Sequence, residues 1–299
     1  MSTPGAASGA IKTMQLYSNI DRIWNELSEL GFSANGTESI DVATINKFDC
    51  YNYGGAVGAT ASCVPLALNK SSKVLDIGSG LGGPARCVAN HSGCSIKGVE
   101  LQPDLTELAN TLTRRCGMAD RVHFACGNIL DTDSDLGDAN SYDAAMSWLV
   151  ILHVPLSARQ AAFTRAFDLL KPGGRMYIED FFLLSGGAGG SQGDNGFTPT
   201  EMELLRDEVY VPDGDLPSRE AYTDTLRSVG FEVDFQDVTA EWTSFTAGRH
   251  EAWRNERARH ERVHNAETWN ALDRFYSAIV TLFGGGNLGG VRLILTKPT

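Results

Sequence analysis

The period of the apolar positions changes along the chain and divides it into zones. Residues 15–31 place apolar groups at helical spacing until Gly31 and the Ala34-Asn35-Gly36 run stop them. A second short helix is expected near residues 40–48. Next come the glycine-broken aromatic segment Tyr51-Asn52-Tyr53-Gly54-Gly55 and a helix over residues 57–68. From residue 73 the pattern alternates. Branched apolar runs at 73–77, 95–100, 122–127, 142–149 and 175–182 read as strands. Stretches at 84–90, 103–116 and 158–170 read as helices, the last ended by Lys171-Pro172-Gly173-Gly174. Such β-α-β-α alternation predicts an α/β fold with a parallel, doubly wound sheet and helices on both faces. Beyond it lie a Gly/Ser-rich loop (185–200), a helix (219–229) and a strand (231–238). A charged helical stretch with one break (244–283), a glycine turn (284–290) and a last strand (291–296) complete the chain.

This organisation suggests a tail and helical lid over residues 1–56 and one catalytic-type domain over 57–299. That domain carries a loop insertion at 185–218 and a helical insertion at 243–286. The 299 residues suffice for one large α/β domain with additions. A formal net charge of −12 argues against a nucleic-acid partner, which needs a basic footprint. No stretch approaches the ~18 apolar residues of a membrane span, and the first 14 residues lack the apolar core of an export signal. A cytoplasmic protein is therefore expected. The six cysteines form no C-x-x-C pair and are expected to be reduced core residues, with no metal site.

The richest chemistry sits in residues 74–83, Val-Leu-Asp-Ile-Gly-Ser-Gly-Leu-Gly-Gly. Gly78, Gly80 and Gly83 satisfy the G-x-G-x-x-G dinucleotide fingerprint. A pyrophosphate, however, would be held by bare N–H groups at the following helix, and Asp76 would repel it. S-adenosylmethionine carries an ammonium and a sulfonium and no phosphate, so an acid at the strand end suits it. A nicotinamide-dependent oxidoreductase is the competing reading, and a non-catalytic S-adenosylmethionine-binding module a third.

The order of motifs from about Val74 to Phe182 resembles class I S-adenosylmethionine-dependent methyltransferases. The resemblance implies a Rossmann-like seven-stranded sheet, six strands parallel and one inserted antiparallel. It also implies in-line transfer of the sulfonium methyl group, leaving S-adenosylhomocysteine. The expected cofactor contacts are Asp76, Gly78, Ser79 and Gly80 in the loop, Glu100 and Leu101 after the second strand, and Ser147 on the fourth. Glu100 lies about where an acid takes the ribose hydroxyls. Asn128 and Ile129, after the third strand, match the family's adenine-contacting pair.

Ser147-Trp-Leu-Val-Ile-Leu-His153 resembles the Ile-Leu-His segment of phosphoethanolamine and sarcosine/dimethylglycine N-methyltransferases. There the histidine works with an N-terminal tyrosine on the amine. The resemblance thus implies His153 as catalytic residue, with Tyr17 or Tyr53 as its partner, and Tyr51 and Trp148 against the acceptor. An amine nitrogen is the expected acceptor, with S-, O- or C-methylation of another small molecule as the alternative. One departure bears on this: the family has Arg or Gln followed by Asp where this chain has Trp148-Leu149, so the acid that would greet a cationic amine is missing. Sterol enzymes share the strand motifs, but their aromatic sterol-binding segment has no convincing counterpart here.

Two further segments are ambiguous. The glycines of 284–290 read as a tight turn rather than an anion nest. The segment 249–264 interleaves charges at i, i+3 and i+4, as an ion-paired surface helix does. Its Trp253, Arg257, His260 and His264 share a helical face that could alternatively offer cations to a carboxylate or phosphate on the acceptor.

Overall fold

The computed structural model describes residues 20–184 and 196–299. Seven strands, β1 (Lys73–Ile77), β2 (Ser95–Glu100), β3 (Val122–Cys126), β4 (Tyr142–Trp148), β5 (Leu170–Leu183), β6 (Glu232–Asp237) and β7 (Leu288–Thr296), form one sheet. Their order is β3-β2-β1-β4-β5-β7-β6, with β7 antiparallel to both neighbours and the others running one way. β1 and β4 are buried on both faces, so apolar residues dominate them, interrupted by Asp76 in β1 and by Asp143 and Ser147 in β4, whereas β6 at the edge alternates.

Eleven α-helices are described. α1 (Asp21–Glu29), α2 (Val42–Asp49) and α3 (Gly55–Ala61) precede the sheet. α4 (Gly83–Ser92), α5 (Pro103–Arg115) and α6 (Leu156–Leu169) link its first strands. α7 (Pro199–Asp207), α8 (Arg219–Val229), α9 (Thr239–Asn255), α10 (Arg257–His264) and α11 (Ala266–Gly285) follow β5. One face of the sheet packs Leu75, Ile77, Ala145 and Ile178 against α6 and α8; the other packs Val74, Ile96, Met146 and Tyr177 against α3 and α4. Leu105, Leu108 and Leu112 of α5 meet Ile23 and Leu27 of α1 and Ile45 of α2. The N-terminal helices therefore lie against the sheet's ligand-bearing half.

Several boundaries differ from the expected ones. The helix expected at 57–68 spans only Gly55–Ala61, and turns follow it. β5 begins at Leu170, because residues after α6 already pair with Tyr142 before a register shift; Lys171–Gly174 lies inside that irregular start. β7 begins at Leu288 rather than 291. Gly289 and Gly290 are strand residues pressed under aromatic rings, and the reversal is confined to Gly286 and Asn287. The charged stretch breaks twice, at Glu256 and Asn265, rather than once. The segment 185–218 holds α7, whose N-terminus closes in a Thr198–Glu201 capping box.

Candidate functional site

The strand order reverses between β1 and β4, and the carboxyl ends flanking that point are where open α/β sheets bind ligands. A cleft of about 810 Å³, partly open to solvent, lies there. Gly78, Glu100, Gln102, Asn128, Ile129 and His153 are among its walls. Gly78 adopts φ +70°, and a Cβ there would meet Val150 at 2.4 Å. Only glycine allows this approach.

The glycine loop satisfies its own donors. Gly78 N and Ser79 N both donate to Val99 O (2.9 and 3.1 Å), Gly80 N donates to Glu100 Oε2 (2.9 Å), and Gly82 N donates to Ser79 O (2.8 Å). A dinucleotide loop keeps such N–H groups for the pyrophosphate. Here four of them are spent inside the protein. Glu100 also accepts from Gln102 N through Oε1 (3.0 Å), leaving each carboxylate oxygen a lone pair for a further donor.

Asp76 is wholly buried beneath the loop, and neither of its oxygens has a hydrogen-bond partner. Desolvation, with the Glu100 charge adding to it, pushes its pKa up to about 8. The carboxyl is thus poised between acid and anion, a state that an approaching cation would convert to the anion. Glu100 is likewise pushed up by burial, while its backbone donors pull it back. The Ser79 hydroxyl is buried without a partner. Both polar atoms of the Gln102 side chain are too, although Gln102 walls the cleft. Sequence reading passed over Gln102. It stands at the N-cap of α5 without capping it, which leaves its amide for a ligand.

Leu101, Asn128 and Ile129 line the cleft, whereas Asp76, Ser79 and Gly80 are not among its lining residues. Asn128 forms an Asx turn in which Oδ1 accepts from Leu130 N (3.0 Å) and its own N–H donates to Ser134 Oγ (3.0 Å). Ser147 is not among the lining residues; its hydroxyl is buried in the sheet and donates to Ile77 O (3.3 Å).

A second chamber of about 480 Å³ adjoins the first and shares Leu149 and His153 with it. Tyr51, Tyr53 and Trp148 line this chamber with Phe181, Phe275 and Ile279. The structure therefore brings His153, Tyr53, Tyr51 and Trp148 together, while Tyr17 lies outside the described residues. Tyr53 packs edge-on to Trp242 (4.7 Å), and burial raises its hydroxyl pKa. Leu149 has φ +55°, an unusual backbone for a leucine, held by its N–H donating to Glu179 O (2.8 Å).

His153 ends a 3₁₀ turn (Ile151–His153) that is clamped from two sides. Asp180 on β5 accepts from Leu152 N (3.1 Å) and from the Tyr222 hydroxyl (2.6 Å). Arg159 on α6 donates to Val154 O (2.9 Å) and Leu152 O (3.2 Å). His153 Nδ1 lies 3.1 Å from Tyr210 O. A carbonyl only accepts, so Nδ1 carries the proton and Nε2 is the free base. Desolvation, opposed by that hydrogen bond and reinforced by Arg159, lowers the His153 pKa to about 4.

The charged segment 249–264 is broken at Glu256, and its singled-out side chains are engaged by neighbouring groups. Arg257 stacks over Trp269 (4.2 Å), and His264 Nε2 bonds Glu26 Oε1 (2.8 Å). His260 stacks on Trp253 (3.8 Å). Glu26, His260 and His264 form a cluster with metal-ligand atoms within 4.8 Å of one another, which sequence reading did not foresee. Arg259 already grips both Glu26 oxygens, so the cluster is an ion-paired contact between α1 and α10.

Residues 74–174 match the model of a family described as "Methyltransferase domain". With the loop's N–H groups already spent, the glycine motif has its explanation. Residues 74–174 are similar to methyltransferase domains. Curated relatives include a sterol 24-C-methyltransferase of Debaryomyces hansenii, 28% identical over 173 residues, covering 57% of this chain and 42% of that protein. A phosphoethanolamine N-methyltransferase of Plasmodium falciparum is 27% identical over 202 residues, covering 67% of this chain and 69% of that one. The chain spans about half the length of the sterol methyltransferases it matches. The solved phosphoethanolamine N-methyltransferase 2 of Haemonchus contortus, in complex with S-adenosyl-L-methionine, superposes with TM-score 0.76. It is 19% identical, and the match covers 98% of this chain and 60% of that one. The seven-stranded fold is thereby shared with that enzyme.

Proposed function

We propose that the protein transfers a methyl group from S-adenosylmethionine to a small-molecule acceptor. The observation that carries this reading is the pair of chambers divided at Leu149 and His153, one lined by Gly78, Glu100 and Asn128, the other aromatic. When bound, S-adenosylmethionine supplies an already activated sulfonium methyl group. Asp76 would face its cationic amino-acid end, Glu100 would accept from the ribose hydroxyls, and Asn128 and Ile129 would flank the adenine. The residual task for the protein is orientation and exclusion of water.

His153 supports the chemical step. Its Nε2 is unprotonated at neutral pH and can take the acceptor's proton. With S-adenosylmethionine bound, the acceptor's freed lone pair would take the sulfonium methyl group, the electron pair of the broken bond staying on sulfur. Amine, hydroxyl and thiol acceptors all fit that step. The described lining of the second chamber contains no carboxylate to receive a cationic amine, which favours a nucleophile that arrives uncharged. Carbon methylation of an apolar acceptor is the second reading, favoured by the aromatic lining.

Calorimetry and mass spectrometry test the proposal. S-adenosylmethionine at 100 times its Kd should add ~2.7 kcal/mol of stability, and NAD none. Incubation with methyl-labelled cofactor and a panel of amines, thiols and hydroxy acids should yield a labelled product. Stabilisation by NAD alone would overturn the reading, and cofactor binding without product from any acceptor would reduce it to a binding module. Glu100→Ala should weaken cofactor binding by roughly 1.5–3 kcal/mol, the worth of a charged hydrogen bond; unchanged affinity would remove Glu100 from the site.

A further inference from the structure

A third cavity of about 760 Å³, partly open to solvent, is bounded by residues of α1, α2, α9, α10 and α11. It shares Tyr51 and Arg249 with the aromatic chamber, just as that chamber shares Leu149 and His153 with the cofactor cleft. The three volumes thus lie side by side, and their character changes from one to the next. The aromatic chamber's described lining has one charged side chain, Arg249. The third cavity has Arg22, Lys47, Arg249 and Arg259 against a single carboxylate, Glu26.

That carboxylate does not neutralise the others. Glu26 accepts from both Arg259 and His264. Arg22 lies over the Tyr51 ring (5.9 Å), with Nε and Nη1 buried and lacking any hydrogen-bond partner. Arg249 makes only long hydrogen bonds, to Tyr51 O (3.5 Å) and Asn52 O (3.4 Å). It rests over Phe245 (4.7 Å) and Tyr53 (5.5 Å). Among the described residues no carboxylate forms an ion pair with either arginine. Guanidinium donors removed from water and left unmatched are costly, and a carboxylate or phosphate matches their fork.

We propose that the acceptor is an amphiphilic anion. Its reacting end lies at Leu149 and His153, its apolar body fills the aromatic chamber, and its carboxylate or phosphate is held by Arg22 and Arg249. The word acceptor rests on the methyl-transfer reading; the anion site does not. A molecule as small as glycine would leave the cationic cavity unused.

Titration calorimetry with four ten-carbon probes tests this: decanoate, decyl phosphate, 1-decanol and decylamine, each with and without S-adenosylhomocysteine. At least one anion should bind tenfold or more tightly than the alcohol and the amine, and the tighter of the two identifies the head group. Arg22→Gln and Arg249→Gln should each erase that preference, and Arg249→Lys should retain part of it. S-adenosylhomocysteine affinity, unchanged in these variants, shows that they fold. Binding of decanol or decylamine as tight as the anions, no binding by any probe, or a preference surviving both glutamine variants would overturn the proposal. A protein that binds the anions but not S-adenosylhomocysteine would keep the anion site and lose the methyl-transfer reading.

Discussion

At the scale of single residues, two titrating groups take most of their character from burial. Asp76 binds a proton in the folded protein between its ordinary pKa and about 8, a range in which the unfolded chain would leave it ionised. The folded state then holds more protons than the unfolded one, so Asp76 lowers ligand-free stability as pH rises through that window. A bound ammonium would favour the ionised carboxylate and expel the proton. S-adenosylhomocysteine binding should therefore tighten by up to roughly tenfold per pH unit from pH 6 to 7.5, with close to one proton released in calorimetry, and Asp76→Asn should flatten the slope. A pH-independent affinity would remove Asp76 from contact with the ligand. His153 behaves in the opposite sense. With its pKa lowered to about 4, it is already a free base across the neutral range. The kcat profile should show no histidine limb between pH 5.5 and 7.5, and His153→Ala should lower turnover about a hundredfold with cofactor affinity unchanged. A limb near pH 6.5 that vanishes in the alanine variant would mean that the imidazole is solvated during turnover.

At the scale of elements, β7 and α9 show how neighbours decide the meaning of a glycine. A Cβ on Gly290 would lie 2.2 Å from the ring of the buried Trp242, whereas one on Gly248 in α9 would meet nothing within 4 Å. Gly290→Ala should therefore cost about 1–3 kcal/mol by overpacking. Gly248→Ala should stabilise α9 by roughly 0.5–1 kcal/mol. Urea unfolding of the two variants checks both signs, and equal effects would contradict this packing. The sequence alone could not separate these positions. Gly248 is an isolated glycine in a helical pattern, a mildly unfavourable signal, and Gly290 belongs to the run 284–290, which looked like one continuous turn. The strands were legible because β1 and β4 are buried on both faces and are therefore mostly apolar. The breaks at Glu256 and Asn265 were not, because Arg257 and His264 are placed by Trp269 and Glu26 on other helices.

At the scale of the whole molecule, the N-terminal helices close one side of the site through charge. Burial raises the Glu26 pKa, but the hydrogen bonds from His264 and Arg259 outweigh it and bring it down to about 2. That contact contributes stability above the ordinary glutamate pKa, and the contribution is lost as pH falls toward 2. It is therefore intact at neutral pH. Glu26→Gln should speed hydrogen exchange of the α1 amides on the order of tenfold at pH 7 while the β4 and β5 amides keep their protection. Uniform acceleration, or none, would show that α1 is held by its apolar face alone.

The amino-acid sequence by itself determined the alternating sheet, the glycine loop after β1 and the class of cofactor, because these depend on local period and short spacings. Asp76, Glu100, Asn128 and His153 could be singled out as candidates for the same reason: Asp76 and Glu100 lie at the ends of β1 and β2, and Asn128 and His153 follow β3 and β4. Only the tertiary structure decided what surrounds them. Gln102 acquires significance when its amide is buried without a partner. Arg22 and Arg249, more than two hundred residues apart, become one cationic wall because α1 and α9 meet at Tyr51. Burial and charge balance are properties of packed surfaces, and no spacing along the chain encodes them.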